Sequence, residues 1–114
     1  MHELSIAASL LEAVAAQVRA GEVERVTAIH LVAGERAGIV EDSLRFCFDL
    51  LAAGTVAAGA RLSLRRTPMR FYCEGCAADY SPAEADFACP HCGAYGRVVD
   101  DGAGLLIESL EVES

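Results

Sequence analysis

Apolar residues near the start of the chain recur at intervals of three and four, which is typical of one face of a helix. The pattern predicts an amphipathic helix that ends near Gly21, because glycine is common just after a helix terminus. The predicted apolar stripe is Leu4, Ala7, Leu11, Val14 and Val18, widened by Ala8, Leu10 and Ala15.

Residues 22–33 alternate with a period of two, which favours a strand. Apolar side chains fall on both sides of this segment, so the strand is predicted to be covered on both faces. One side carries Val26, Ala28, His30 and Val32, and the other carries Thr27, Ile29, Leu31 and Ala33. His30 is therefore expected to be a partly buried histidine.

A second helix is predicted after the turn that contains Gly34 and Gly38. Glu41 and Asp42 place acidic residues at its start, Ser43 is a candidate cap, and the helix should stop before Gly54. The predicted buried stripe is Leu44, Cys47, Phe48 and Leu51, with Cys47 as a small core hydrophobe.

Residues 60–67 and 105–112 are again strand-like. Two helices and about three strands predict an α/β (α+β) fold in which two helices pack on a three-stranded sheet. Residues 69–98 differ, since they hold four of the five cysteines and few aliphatic side chains. This segment is predicted to be an inserted module that cannot build a hydrophobic core.

The cysteines of residues 69–98 form two C-x2-C pairs separated by twelve residues, a pattern typical of a zinc ribbon. The pairs are Cys73 with Cys76 and Cys89 with Cys92. Four thiolates close a tetrahedral shell, so the predicted site is structural. Gly75 and Gly93 are expected to let backbone amides approach the thiolates. A redox dithiol or two disulfides are the alternatives, and His91 is a solvated side chain, a hydrogen-bond donor to the site, or an exchangeable ligand.

The net charge of −8 disfavours phosphate backbones and anionic membranes as partners. Within residues 69–98, two arginines stand against four acidic residues, which argues against nucleic-acid binding by the ribbon. Arginines do cluster on the second predicted strand and its exit, as a solvated face or a docking patch for an acidic protein: Arg61, Arg65, Arg66 and Arg70.

The first apolar stretch is interrupted by Ser9 and Glu12 and has no basic leader, so neither a signal peptide nor a membrane span is predicted. The expected compartment is the cytoplasm, where thiols stay reduced.

The chain begins Met1-His2-Glu3, which places a free amine two residues from an imidazole. The amine, the amide nitrogen of His2 and its imidazole can occupy three corners of a plane, and a further amide nitrogen or the Glu3 carboxylate can complete it. Tetragonal nitrogen and oxygen ligation favours Ni(II) or Cu(II) over zinc. Taken alone, a histidine at position 2 is more often an ordinary surface residue than a metal ligand.

The assembled motifs resemble the HypA hydrogenase nickel incorporation proteins along nearly the whole chain. The matching segments are Met1-His2-Glu3-Leu4-Ser5, the Gly34 to Val40 turn followed by Leu44-x-Phe46-x-Phe48, Gly54-Thr55 before Gly59-Ala60-x-Leu62, both C-x2-C pairs, and Gly102-x2-Leu105-x-Ile107-x-Ser109-x-Glu111-Val112.

This resemblance implies a nickel metallochaperone, not an enzyme, that delivers Ni(II) during maturation of [NiFe] hydrogenase. It implies nickel ligands at Met1, His2 and Glu3 in a domain of residues 1–68 plus 99–114. It implies structural zinc at the four paired cysteines in a domain of residues 69–98. The implied partners are the HypB GTPase and the hydrogenase large subunit, and a homodimer is possible.

Two other function classes compete with this reading. A zinc-ribbon module for nucleic acid or a transcription partner would leave Met1 and His2 inert. An enzyme is disfavoured because no catalytic triad, phosphate loop or paired-carboxylate motif is evident.

Overall fold

The computed structural model describes residues 2–18, 22–82 and 86–114. Within these ranges the chain forms two helices and two three-stranded sheets. The elements are α1 (His2–Gln17), β1 (Arg25–Gly34), α2 (Glu41–Ala52), β2 (Arg61–Thr67), β3 (Arg70–Cys73), β4 (Ala78–Tyr80), β5 (Arg97–Asp100) and β6 (Leu105–Glu113).

The chain divides into two compact units. Unit 1 comprises the residues up to Val32 together with Ile39–Arg65 and Leu106–Ser114. Unit 2 comprises Ala33–Gly38 and Arg66–Leu105. Neither helix within the described ranges is both long enough and apolar enough to cross a lipid bilayer.

β1 is the central strand of the first sheet, with β2 on one side and β6 on the other. Glu24 N donates a hydrogen bond to Glu113 O at 2.8 Å, and Thr27 Oγ1 donates to Glu111 O at 3.1 Å, so β1 and β6 run antiparallel. Both faces of β1 contribute buried residues, as predicted: Val26, Ala28, Ile29, Leu31 and Ala33.

The two helices contact each other. Together with the three-stranded sheet they confirm the predicted fold class. α1 buries a narrower stripe than predicted, namely Ala7, Leu10 and Val14. Leu4, Ala8 and Ala15 are exposed, because only one side of α1 turns toward the interior of the unit. The helix ends at Gln17, and Gly21 lies outside the described residues.

α2 begins at Glu41, but its cap differs from the prediction. The N-cap residue is Val40, which has no side chain that caps the helix, and Ser43 lies inside the first turn. A carboxylate from α1 takes over this role, since Val40 N donates to Glu3 Oε2 at 3.2 Å. The first N–H groups of a helix have no acceptor within the helix, and a carboxylate at this end both accepts from one of them and suits the positive end of the helix dipole.

The buried stripe of α2 also differs in part from the predicted one. Leu44 and Phe48 are buried as expected, whereas Cys47 is half-buried and Leu51 is exposed. Ala52 is buried instead, because it lies four residues after Phe48 and eight after Leu44, on the same side of the helix.

Unit 2 contains a second sheet that the sequence did not predict, with strand order β4-β3-β5. β3 pairs antiparallel with both neighbours, so that Phe71 lies opposite Tyr80 on one side and Val98 on the other.

The prediction that residues 69–98 build no hydrophobic core is wrong. A small cluster is buried there, consisting of Met69, Phe71, Cys73, Tyr80 and Cys89. The Phe71 ring centroid lies 5.6 Å from that of Tyr80 and 5.8 Å from that of Phe87. Aromatic rings and cysteines thus replace the missing aliphatic side chains.

Candidate metal centres

Four cysteines converge in unit 2. Cys73 ends β3 and Cys76 follows after a turn, while Cys89 and Cys92 flank a second turn. Their Sγ atoms all lie within 4.8 Å of one another, and within the described ranges this is the one group of three or more His, Cys, Asp or Glu residues placed to hold a metal ion.

The spacing of the sulfurs fits a tetrahedral zinc ion. A Zn–S bond of about 2.3 Å places tetrahedral sulfurs about 3.8 Å apart. The Cys73 and Cys92 Sγ atoms are 3.5 Å apart, and those of Cys76 and Cys89 are 3.9 Å apart. All four are free thiols in the structure, so a tetrathiolate shell is available without rearranging covalent bonds.

The two turns have the same backbone requirement but meet it with different residues. In the second turn, Gly93 has φ of +78° and its N–H donates to Cys89 O at 2.8 Å. In the first turn the residue with positive φ is Ala77, at +53°, and Gly75 is not in the left-handed region. Both residues directly follow the second cysteine of their pair. Ala77 therefore adopts a left-handed conformation that disfavours a side chain.

The four thiols are not equivalent. Backbone N–H groups of Cys92 and His91 lower the pKa of the Cys89 thiol to about 7. Hydrogen bonds with the thiols of Cys92 and Cys73 raise the pKa of Cys76 to about 12. Metals bind thiolates, and the backbone N–H groups of His91 and Cys92 favour that form at Cys89.

Tyr80 fixes the chain on both sides of the second turn, a role that the sequence analysis missed. Its hydroxyl donates to Phe87 O at 2.7 Å and accepts from Gly96 N at 3.0 Å. A Cβ on Gly96 would lie 2.3 Å from Tyr72 O, so glycine is needed where the chain passes β3. No local pattern marks Tyr80, because both of its partners are distant in sequence.

His91 is exposed and does not belong to the cysteine group.

The surface of unit 2 carries two ion pairs: Arg70 pairs with Asp79 at 3.1 Å and Arg97 pairs with Glu74 at 3.5 Å. Such exposed pairs add little stability.

At the amino end, Met1 lies outside the described residues, while His2 and Glu3 open α1. His2 Nδ1 lies 3.5 Å from Glu3 Oε2. The His2 side chain is 59% exposed, whereas that of Glu3 is only 14% exposed. The Val40 N–H holds the pKa of the Glu3 carboxyl below its usual value, and His2 acts in the same direction. The structure thus brings together two of the three predicted nickel ligands and anchors one of them to α2.

His30 is partly buried, as predicted. Its Nε2 lies 2.5 Å from Glu111 Oε2, and this hydrogen bond lowers the pKa of Glu111. Two exposed arginines of β2 pair with acids of β6: Arg65 lies 2.7 Å from Glu108 and Arg61 lies 3.8 Å from Glu111. Because β1 lies between β2 and β6, these pairs cross the face of the central strand, and as exposed ion pairs they add little stability.

Comparison with known proteins places these features in one family. A sequence model described as "Hydrogenase/urease nickel incorporation, metallochaperone, hypA" matches residues 1–112. The hydrogenase maturation factor HypA of Roseiflexus sp. strain RS-1 is 45% identical over 115 residues, which cover 99% of this chain and 93% of that protein. That of Dehalococcoides mccartyi strain 195 is 39% identical over 113 residues, which cover 99% and 95%.

Two solved structures share the fold. The solution structure of the Ni metallochaperone HypA from Helicobacter pylori gives a TM-score of 0.68 at 21% identity, covering 98% of this chain and 97% of that one. A second solution structure of a HypA protein gives 0.73 at 20% identity, covering 99% and 97%.

Proposed function

Since the chain belongs to the HypA family of hydrogenase and urease nickel-incorporation metallochaperones, we propose that it binds Ni(II) at its amino end and hands the ion on during maturation of [NiFe] hydrogenase. Members of this family are maturation factors, not enzymes, and they bind nickel and structural zinc.

The zinc ligands in this proposal are Cys73, Cys76, Cys89 and Cys92. Their support is the sulfur spacing, which matches a tetrahedral shell, and the backbone N–H groups directed at Cys89. A complete thiolate shell leaves no position for water or substrate, so the zinc stabilises unit 2 and performs no hydrolysis.

The nickel ligands in this proposal are the Met1 amine, the amide nitrogen and imidazole of His2, and the Glu3 carboxylate. The observation that carries it is the 3.5 Å approach of His2 Nδ1 to Glu3 Oε2 at the exposed start of α1. Because the amine and imidazole must be deprotonated to bind, nickel affinity should rise with pH.

In this proposal, residues 1–68 plus 99–114 carry nickel and residues 69–98 carry zinc. The partners are the HypB GTPase and the hydrogenase large subunit, and the compartment is the cytoplasm. The net charge of −8 supports protein partners over nucleic acid.

The test is calorimetric titration of Ni(II) into the untagged, zinc-loaded chain. We expect one Ni(II) per chain, lost in His2→Ala and in a chain extended ahead of Met1, with zinc content unchanged in both. His30→Ala is the matched control, since it removes a histidine that faces Glu111 and should leave nickel binding intact. If the extended chain bound nickel as well as the untagged one, the amino-terminal assignment would be wrong.

A further inference from the structure

The outer side of α2 carries large apolar side chains that unit 1 does not bury. Phe46 is 66% exposed and Leu50 is 61% exposed, one turn apart. They point away from the buried residues Leu44 and Phe48. Adjacent exposed apolar side chains of this size often mark an interaction site. Phe46 and Leu50, with Leu4 of α1, are called the α2 face below.

A cavity of about 320 Å³ opens beside this face between the first turns of the two helices. Leu4 and Phe46 line it, and Leu4 is itself 44% exposed. Glu3 also lines it, so the cavity begins one residue from His2. It is large enough to accept an apolar side chain from another molecule.

The border of the α2 face is acidic. Asp42 lies four residues before Phe46, and Asp49 lies three residues after it, so both flank Phe46 on the helix surface. Arg45 is occupied by Glu41, at 2.7 Å. Among the described residues, neither Asp42 nor Asp49 has a cation within 4.0 Å. The face therefore combines an apolar centre with unneutralised negative charge.

We propose that the α2 face is a docking site for an amphipathic, basic segment of a protein partner. The segment places an apolar anchor in the cavity and sets lysine or arginine side chains beside Asp42 and Asp49. A symmetric contact of this face with the same face of a second copy is disfavoured, because it would bring the aspartates of the two copies together. This proposal rests on the proposed function in one respect: it takes the amino end, beside which the partner docks, to be the end that carries nickel.

The test measures binding of purified HypB GTPase, as the probe, to the full zinc-loaded chain at 0.05 M salt. Phe46→Ser and Leu50→Ser should each weaken binding by about tenfold or more, because centrally placed apolar anchors dominate such interfaces. Leu106→Ser is the matched control, since Leu106 is an exposed apolar residue of β6, 57% exposed, and is not part of the α2 face. It should bind HypB as the unmodified chain does.

Two charge variants examine the acidic border. Asp42→Asn and Asp49→Asn should each weaken binding severalfold at low salt, and this difference should shrink at about 1 M salt, where the screening length is about 3 Å. Equal binding at low salt by both variants and the unmodified chain would contradict the charged part of the proposal.

An independent readout uses Cys47, a half-buried thiol that lines the cavity. HypB should slow its alkylation by iodoacetamide several-fold, as quantified by peptide mass spectrometry. Unchanged alkylation under saturating HypB would overturn the proposal, as would full affinity in Phe46→Ser or absence of binding by the unmodified chain. Self-association abolished by Phe46→Ser would also overturn it, in favour of a second copy.

Failure here is distinguishable from failure of the proposed function. His2→Ala should lose nickel yet bind HypB within about twofold of the unmodified chain, because His2 lies outside the α2 face. A chain that docks HypB through Phe46 but takes no nickel would defeat only the amino-terminal nickel site.

Discussion

The two units of this protein reach a folded state by different means. In unit 1, large aliphatic and aromatic side chains such as Phe48, Ile29 and Leu31 are completely buried. In unit 2, two of the five clustered buried residues are the cysteines Cys73 and Cys89. Burial of apolar surface stabilises unit 1 directly, whereas unit 2 joins a minimal aromatic cluster to four cysteines placed to hold a metal ion. If that ion is bound, the stability of unit 2 should depend on metal and that of unit 1 should not.

The largest expected effect comes from removing one zinc ligand. Cys89→Ser should abolish stoichiometric zinc binding and unfold unit 2, because structural zinc contributes about 10–16 kcal/mol of apparent binding free energy in small modules. The measurements are zinc content and amide NMR spectra, in which signals from unit 2 should collapse while those from β1 remain dispersed.

Cys47→Ser controls for loss of a thiol outside the cysteine group and should leave zinc content unchanged. A Cys89→Ser chain whose β3 and β4 amides kept native shifts without zinc would show that the aromatic cluster alone holds unit 2, and the contrast between the units would disappear.

The next effect in size belongs to unit 1. Phe48→Ala should lower the free energy of unfolding by about 3–5 kcal/mol, because it empties a fully buried position. Denaturant titration followed by circular dichroism measures this loss. Zinc content should stay at one per chain. Loss of zinc in this variant would mean that metal binding by unit 2 depends on the core of unit 1. Phe46→Ala is the matched control, because that ring is exposed and two positions earlier on the same helix.

The smallest expected effect compares the two turns of unit 2. Gly93→Ala should destabilise the zinc-loaded unit by about 1 kcal/mol, because φ is +78° there. Ala77→Gly should be neutral or stabilising by up to about 1 kcal/mol, since relief of strain is offset by greater freedom of the unfolded chain. The midpoint of zinc removal by a competing chelator reports both changes. If Gly93→Ala left this midpoint unchanged, the left-handed conformation at position 93 would not contribute to the stability of unit 2.

Much of unit 1 was accessible from sequence because its elements follow periodic patterns. The alternation around Ile29 predicted a strand covered on both faces, and the spacing of Leu44 and Phe48 predicted the buried side of α2. The ends of the helices and strands were harder to predict from the sequence. The Val40 N–H is capped by Glu3, thirty-seven residues earlier, and no local pattern announces such a partner.

The sequence by itself determined which cysteines are candidate zinc ligands and which groups at the amino end are candidate nickel ligands, because residue identity and spacing are local properties. Tertiary structure alone decided that Tyr80 braces the second turn and that Phe71 stacks with rings from separate segments. It also decided that Phe46 faces outward beside a cavity while Phe48 is buried. The physical reason is that covalent spacing fixes which donors are near one another along the chain, whereas burial depends on contacts between segments that only folding brings together.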